Sequence, residues 1–298
     1  MAGLDRGRVG DLLGVRVERV VDRGSSHSWT LHQVTLADGR EAFVKAAADQ
    51  AGVFAAETAG LRWLGDGDGD GDGDGSDGDG DGGGAPVAEV LAADDHHLVL
   101  PWLPAESPEP AAAERLGREL AALHARGPDS YGAPWTGFIA DLPLDNTLSD
   151  EPWSRWYADR RLAPFLERAG HHLADSEKQL VERVIEEIDG LAGPPEPPAR
   201  IHGDLWGGNV LWSGGRGWLI DPAAHGGHRE TDLAMLGLFG APHLERVLAA
   251  YDEVSPLADG WRDRIPLHQL HPLLVHLELY GASYRSQVVA AARAAVRG

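Results

Sequence analysis

Ile201-His202-Gly203-Asp204-Leu205-Trp206-Gly207-Gly208-Asn209, followed by Leu219-Ile220-Asp221-Pro222, is the stretch from which the fold is read. It places an Asp, an Asn five positions later, and a second Asp after a hydrophobic run. Taken singly, each piece is ordinary: His202-Gly203-Asp204 suits a turn, an Asn caps turns, and Asp-Pro ends strands. Taken in order, between Val210 to Trp212 and Trp218 to Ile220, they describe a tight loop and then a strand ending in a carboxylate. Phosphoryl transfer needs such a set, and about 20 residues here supply it. One carboxylate accepts the proton of an attacking hydroxyl, while two oxygen ligands hold Mg²⁺, which neutralises charge on the phosphates.

Upstream, Val15 to Val20 alternates as a half-buried strand, Ser25 to Ser28 reads as a turn, and Trp29 to Leu36 as a second strand. Asp38-Gly39 is a hairpin signal that makes Glu41 to Ala46 the third strand. Phe54 to Leu64 has helical spacing, with Leu61 and Leu64 on one side and Glu57 on another. Val87 to Leu91 and His97 to Trp102 are further strand candidates. A boundary is expected near Leu103-Pro104, before the Pro-rich Ser107 to Pro110.

The second part is mainly helical. Leu116, Leu120 and Leu123 share one face, and Gly127-Pro128 stops that helix. Ser176 with Gln179 reads as a capping box ahead of Leu180, Val184 and Ile188. Pro194 to Pro198 forms a stiff connector into the motif segment, and Ser213-Gly214-Gly215 closes a small hairpin after it. Thr231 to Phe239 and most of the tail return to helical patterns.

The tract Gly65–Gly84 is low-complexity, lacks any apolar residue, and reads as a disordered insertion. The alternative is a calcium loop, since Asp66, Asp68, Asp70 and Gly71 mimic the start of an EF-hand. Position twelve is then Asp77 in place of Glu, and no amphipathic helices flank it. Removing the tract's eight carboxylates from the formal −21 leaves −13 on the rest of the chain. Such an acidic balance argues against nucleic acid or an anionic membrane as partner. No Cys is present, which excludes disulfides and thiolate zinc sites. Met1 to Arg6 shows no apolar leader and no stretch reaches transmembrane length, so a cytoplasmic placement is expected.

His202 to Asn209 and Asp221 to Met235 (DPAAHGGHRETDLAM) resemble the fructosamine kinase (ketosamine-3-kinase) family, within the aminoglycoside and choline phosphotransferase group. Ala37–Lys45, Glu57–Leu64, Leu116–His124, Phe138–Leu142, Trp153–Leu166, Leu238–Gly240 and Pro256–Tyr284 are also similar to it, so the resemblance spans nearly the whole chain outside the Gly/Asp tract. Trp206, directly after Asp204-Leu205, is its most family-specific residue. The resemblance implies an α+β, two-lobed protein-kinase-like fold. A small antiparallel-sheet N-lobe with one helix (1–103) would bind nucleotide, and a larger, mainly helical C-lobe (104–298) would carry catalysis and the acceptor.

It also implies ATP and Mg²⁺, with a small-molecule ketosamine or glycated amine as acceptor and no protein partner identifiable. Lys45 ends an apolar strand where kinases place the lysine on the nucleotide phosphates, and Glu57 is its expected ion-pair partner. Asp204 is the expected proton acceptor, and Asn209 and Asp221 the Mg²⁺ ligands. Ser25 and Ser26 belong to the phosphate loop, which has one Gly where the family is commonly richer. His202 is read as a structural member of the loop. Asp232 either braces that loop or favours its helix N-terminus. Trp206 either packs against a sugar face or belongs to the core. Trp153, Trp156, Arg160 and Arg161 either line the acceptor pocket, or pack helices or make surface ion pairs. The histidines, Asp94-Asp95-His96-His97 among them, show no helical metal-ligand pair and read as solvated loop residues. Aminoglycoside and amino-alcohol kinases would use the same Lys45, Asp204, Asn209 and Asp221. A catalytically silent nucleotide-binding scaffold is the reading from another class.

Overall fold

Period-two alternation over the first hundred residues builds one antiparallel sheet. The computed structural model describes residues 4–48, 50–66 and 85–297; the Gly/Asp tract, with its calcium-loop reading, lies outside them from residue 67 on. Helix α1 (Arg6–Leu13) leads into β1 (Val17–Ser26), β2 (Trp29–Leu36), β3 (Glu41–Ala46), helix α2 (Ala51–Gly65), β4 (Ala92–Ala93) and β5 (His97–Pro101). The strand order is β1-β2-β3-β5-β4, antiparallel throughout. Val34, Leu36, Ala42, Val44 and Val99 face Val9 of α1, while Leu98 and Leu100 on the other face meet Phe54 and Leu61 of α2.

Three details differ from the sequence reading. The sheet carries two helices rather than one. The added α1 is capped by Asp5, whose carboxylate accepts the Arg8 N–H at 3.0 Å. Strand β1 runs through Ser25 and Ser26 past an irregularity after Asp22, leaving only His27-Ser28 as the turn. Val87 to Leu91 does not form a strand of this sheet: Val87 bridges to Leu219 instead.

The larger lobe begins with helix α3 (Pro110–Ala125), followed by the hairpin β6 (Gly137–Ile139) and β7 (Leu142–Leu144). Helix α4 (Trp153–Tyr157) passes through a π turn at Ala158–Leu162 into α5 (Ala163–Ala169), and α6 (Asp175–Leu191) follows. Strands β8 (Ala199–Ile201), β9 (Val210–Ser213), β10 (Arg216–Leu219) and β11 (His225–Gly227) frame the motif segment. They precede α7 (Arg229–Leu238), α8 (Leu244–Val254), α9 (Trp261–Tyr280) and α10 (Arg285–Ala295). The N-cap of α6 is Ala174, two residues before the expected Ser176; its N–H is held by Glu177 at 2.9 Å. Trp153, Trp156, Leu162, Phe165, Val184, Ile188, Leu274 and Val288 form one core, and Leu116, Leu120, Leu205, Leu233 and Tyr251 belong to another.

Trp153, Trp156 and Arg161 therefore pack helices. Arg161 is 1% exposed, donates to Asp145 O at 2.7 Å and Asn146 Oδ1 at 2.6 Å, and lies over the Trp156 ring. Burial without a bonded carboxylate pulls its guanidinium down to about 9. Among the described residues no helix is long and apolar enough to cross a membrane.

Helices α3 and α8 meet backbone to backbone at Gly117, where an added Cβ would lie 2.2 Å from Val247 O. Gly190 in α6 has open space around its Cβ position. Gly117→Ala is therefore expected to destabilise the protein by about 1–3 kcal/mol, and Gly190→Ala to stabilise it by about 0.5–1 kcal/mol. Urea unfolding of the two variants checks the opposite signs.

Candidate active site

Lys45 reaches the interior because β3 alternates: Ala42 and Val44 face α1, whereas Lys45 projects toward α2. On α2, Phe54, Glu57, Leu61 and Leu64 follow one helical stripe, so Glu57 lies on the buried side with the leucines rather than on another face. Lys45 Nζ donates to both Glu57 oxygens, at 2.8 and 2.9 Å, and also to Asp221 Oδ1. Burial works against the Lys45 charge, but Asp221 and Glu57 outweigh it and hold the ammonium above its ordinary value. Burial pushes Glu57 up to about 8, with Lys45 opposing and Asp221 adding to the rise. Asp221 feels burial too, yet Lys45 keeps its carboxyl below the usual value. Its backbone takes φ 60°, left-handed for a residue before proline, so the Asp221-Pro222 corner holds a sparsely populated conformation.

The loop after β8 is shaped by three residues. Gly203 has φ 80°, and a Cβ there would stand 2.3 Å from Ala223 O. Asp232, at the start of α7 and 0% exposed, accepts the N–H groups of His202 at 2.7 Å and Gly203 at 2.9 Å. His124 Nε2 lies 3.1 Å from the same carboxylate, and its Nδ1 lies 2.9 Å from the Tyr251 hydroxyl. Burial pushes Asp232 up, but the His124 hydrogen bond and the His202 N–H outweigh it and hold the carboxyl low. His202 uses both ring nitrogens on backbone: Nε2–H donates to Ile220 O at 2.8 Å and Nδ1 accepts the Asp204 N–H at 3.2 Å. Burial keeps that ring below its ordinary pKa. It is thus a neutral tie between the loop and the strand leading to Asp221.

A cleft of about 140 Å³ collects Ser26, Glu57, Asp204, Trp206, Asn209 and Asp221 on its walls. Ser25, exposed on β1, is not among its lining residues; His27 is. Lys45, His202 and Asp232 stand behind the walls. Phe138 and Ala140, from the β6–β7 hairpin, also line the cleft. The sequence flagged Phe138–Leu142 only as family-like, because a short hairpin far from the motif gives no local sign of where it docks. The Trp206 indole lies at the mouth, 39% exposed, over Gly208 and edge-on to Phe239 at 6.1 Å, so it is not a core residue. Phe239, His276, Tyr280 and Tyr284 extend an aromatic surface from it. Trp153, Trp156, Arg160 and Arg161 do not line the cleft. Nor are the histidines mainly solvated: His32, His97, His124, His202, His225, His228, His268 and His271 are all buried.

The donor set suits a divalent cation. Asn209 spends its amide N–H groups on Asp204 O at 2.8 Å and Asp204 Oδ2 at 3.0 Å, which leaves its carbonyl oxygen free to accept. Burial, with the Asp221 charge adding, pushes Asp204 up to about 8 against the Asn209 hydrogen bond. The Asp204 and Asp221 carboxyl groups and the Asn209 carbonyl are oxygen donors on the walls of one cleft, the chemistry a hard divalent cation takes.

The model of the fructosamine kinase family matches residues 84–297. The chain belongs to this family. It is an ATP-dependent small-molecule kinase with a protein-kinase-like fold. A crystal structure of a "putative fructosamine-3-kinase" from Thermobifida fusca is 51% identical, with TM-score 0.91 over 99% of this chain and 100% of that one. A "Probable ketoamine kinase" of Enterococcus faecium is 33% identical over 201 residues, covering 64% of this chain and 69% of that protein. Aminoglycoside phosphotransferase APH(4)-Ia, solved with AMP-PNP and hygromycin B, shares the fold at TM-score 0.64 and 15% identity over 97% of this chain and 98% of that one.

Asp232→Asn places an amide N–H against two buried backbone N–H groups and is expected to cost about 2–5 kcal/mol. Because the Asp232 carboxyl is held below its ordinary 3.8, its stabilisation is full above that pH and is lost as pH falls through the depressed value. Acid unfolding should therefore separate wild type from variant most above pH 4 and bring them together below it, as followed by circular dichroism.

Proposed function

We propose that the protein transfers the γ-phosphoryl group of ATP to a sugar hydroxyl of a ketosamine, a glycated amine, in a deglycation or repair role. The observation that carries this is the joint placement of Asp204, Asn209 and Asp221 in one cleft beside the exposed Trp206 indole. Family membership supports the substrate class, and the negative surface is compatible with a cationic amine.

In this reading Lys45, oriented by Glu57, binds the nucleotide phosphates, and the hairpin tip at Ser26 and His27 covers them. Asn209 and Asp221 would hold Mg²⁺, which when bound would neutralise charge on the phosphates. Asp204 orients the acceptor hydroxyl, whose oxygen bonds to the γ-phosphorus while the bond to the ADP oxygen breaks. The hydroxyl proton passes to the Asp204 carboxylate. In a loose transition state that proton moves late, so Asp204 acts first by aim and then as acceptor. His202 and Asp232 keep the loop in register and do not touch substrate. The sugar face rests on Trp206, which also shields the reacting atoms from water.

Mg²⁺-dependent ADP release, measured with fructosyl-lysine, a kanamycin-type sugar and choline, tests the proposal. Release should be stimulated by fructosyl-lysine, and Asp204→Asn should lower kcat by about 10²–10⁴-fold. Trp206→Ala should raise the KM of the acceptor about tenfold while leaving that of ATP unchanged. Stimulation by choline or the aminoglycoside alone would move the acceptor to those classes.

A further inference from the structure

A second cavity, about 760 Å³, opens on the larger lobe between residues 129–131, 149–155 and 189–198. Its volume is within the roughly 300–1,000 Å³ of small-molecule sites. None of the catalytic-cleft residues line it. Its floor holds Trp153 and His228, 5% and 3% exposed, and each keeps one N–H without an acceptor among the described residues. The Trp153 ring is stacked against Tyr157 at 4.6 Å and His268 at 4.7 Å, and it lines the cavity. His228 Nδ1 accepts the Glu230 N–H at 3.2 Å, so the ring proton sits on Nε2. Burial, with His268 adding, holds that imidazole down to about 3 and therefore neutral. Its Nε2 is 3.9 Å from Glu196, beyond hydrogen bonding, and both Glu196 oxygens accept from Arg229 at 2.6 and 2.7 Å.

The lining is acidic. Asp129, Asp150 and Glu151 form no ion pair among the described residues, while Arg155, the one Lys or Arg of the lining, is neutralised by Asp189. Tyr131, Trp153 and the rings of Pro152, Pro194, Pro195 and Pro198 give it an apolar inner surface. The His228–Glu230–His268 group beneath is no metal site, since Arg264 holds both Glu230 oxygens at 2.9 and 2.6 Å.

We propose that this cavity binds a basic amino-acid unit, with its ammonium or guanidinium on the acidic rim and a neutral carbonyl accepting from Trp153 Nε1–H and His228 Nε2–H. The carbonyl has to be neutral, because a carboxylate placed there would face Glu196 and the rim acids. An apolar stem fits the proline and aromatic walls. An arginine or lysine amide and a basic residue within a peptide share this chemistry.

The test is NMR of the full chain with isotope-labelled tryptophan, the Trp153 indole N–H being assigned through Trp153→Phe. Titrants are arginine amide, free arginine, acetylalanine amide and a Gly-Arg-Gly amide. Arginine amide or the tripeptide amide should shift the Trp153 signal saturably. Asp150→Asn and Glu151→Gln, both at exposed positions, should each weaken binding by up to about fivefold. Free arginine should bind more weakly than the amide, and acetylalanine amide should leave the signal in place. Tighter binding of the tripeptide assigns the site to peptides; tighter binding of arginine amide assigns it to the free amino compound. No shift with either, an equal shift with acetylalanine amide, or free arginine binding as tightly as its amide would overturn the proposal. None of these readouts depends on catalysis.

Discussion

One buried ammonium group organises the catalytic half of the molecule. Lys45 Nζ is taken out of water between a sheet and a helix, where an unpaired charge would be prohibitive. Its counter-charges come from different elements: Glu57 from α2, and Asp221 from the corner after β10. The first fixes how α2 rotates on the sheet, since Glu57 must share the buried stripe with Leu61 and Leu64. The second brings the end of the motif hairpin, in the larger lobe, against the smaller one. The interlobe cleft is therefore a consequence of charge pairing as well as of apolar packing.

A second buried charge stabilises the loop itself. Asp232 satisfies two successive backbone N–H groups that the turn at His202-Gly203 would otherwise leave unpaired. It braces the loop from the first turn of α7, where the helix dipole also favours a carboxylate. Asp204 lies one residue beyond the brace. Its carboxyl is raised by burial and by Asp221, whereas Asp232 is held low by its donors. Two carboxylates in one small region thus lie in opposite environments.

The rigid base of the site contrasts with its mouth. Trp206 and Phe239 are each 39% exposed, and with Tyr280 they present ring surface that no described residue covers. The distant cavity at Trp153 and His228 has the reverse character, with deeply buried donors beneath an acidic rim. In both places aromatic rings supply shape and hydrogen-bonding groups supply orientation.

The sequence by itself determined what depends on neighbours along the chain. Strands β2 and β3 and the hairpin of β9 and β10 follow from alternation and turn residues, and the Asp204 to Asn209 spacing follows from one tight loop. Helix α1, the far end of β1 and the position of the α6 cap escape the sequence because their local signals are weak. The tertiary structure alone decided which distant groups meet: Lys45 with Asp221, Asp232 with the His202 N–H, Phe138 with the cleft, and His228 with Glu196. It also decided that eight histidines are buried and that Arg161 is enclosed among carbonyls. Periodicity tells which side of an element is apolar, but a polar residue on that side is read as solvated until its partner is found. The partner's position is set by packing of the whole chain, on which local spacing carries no information.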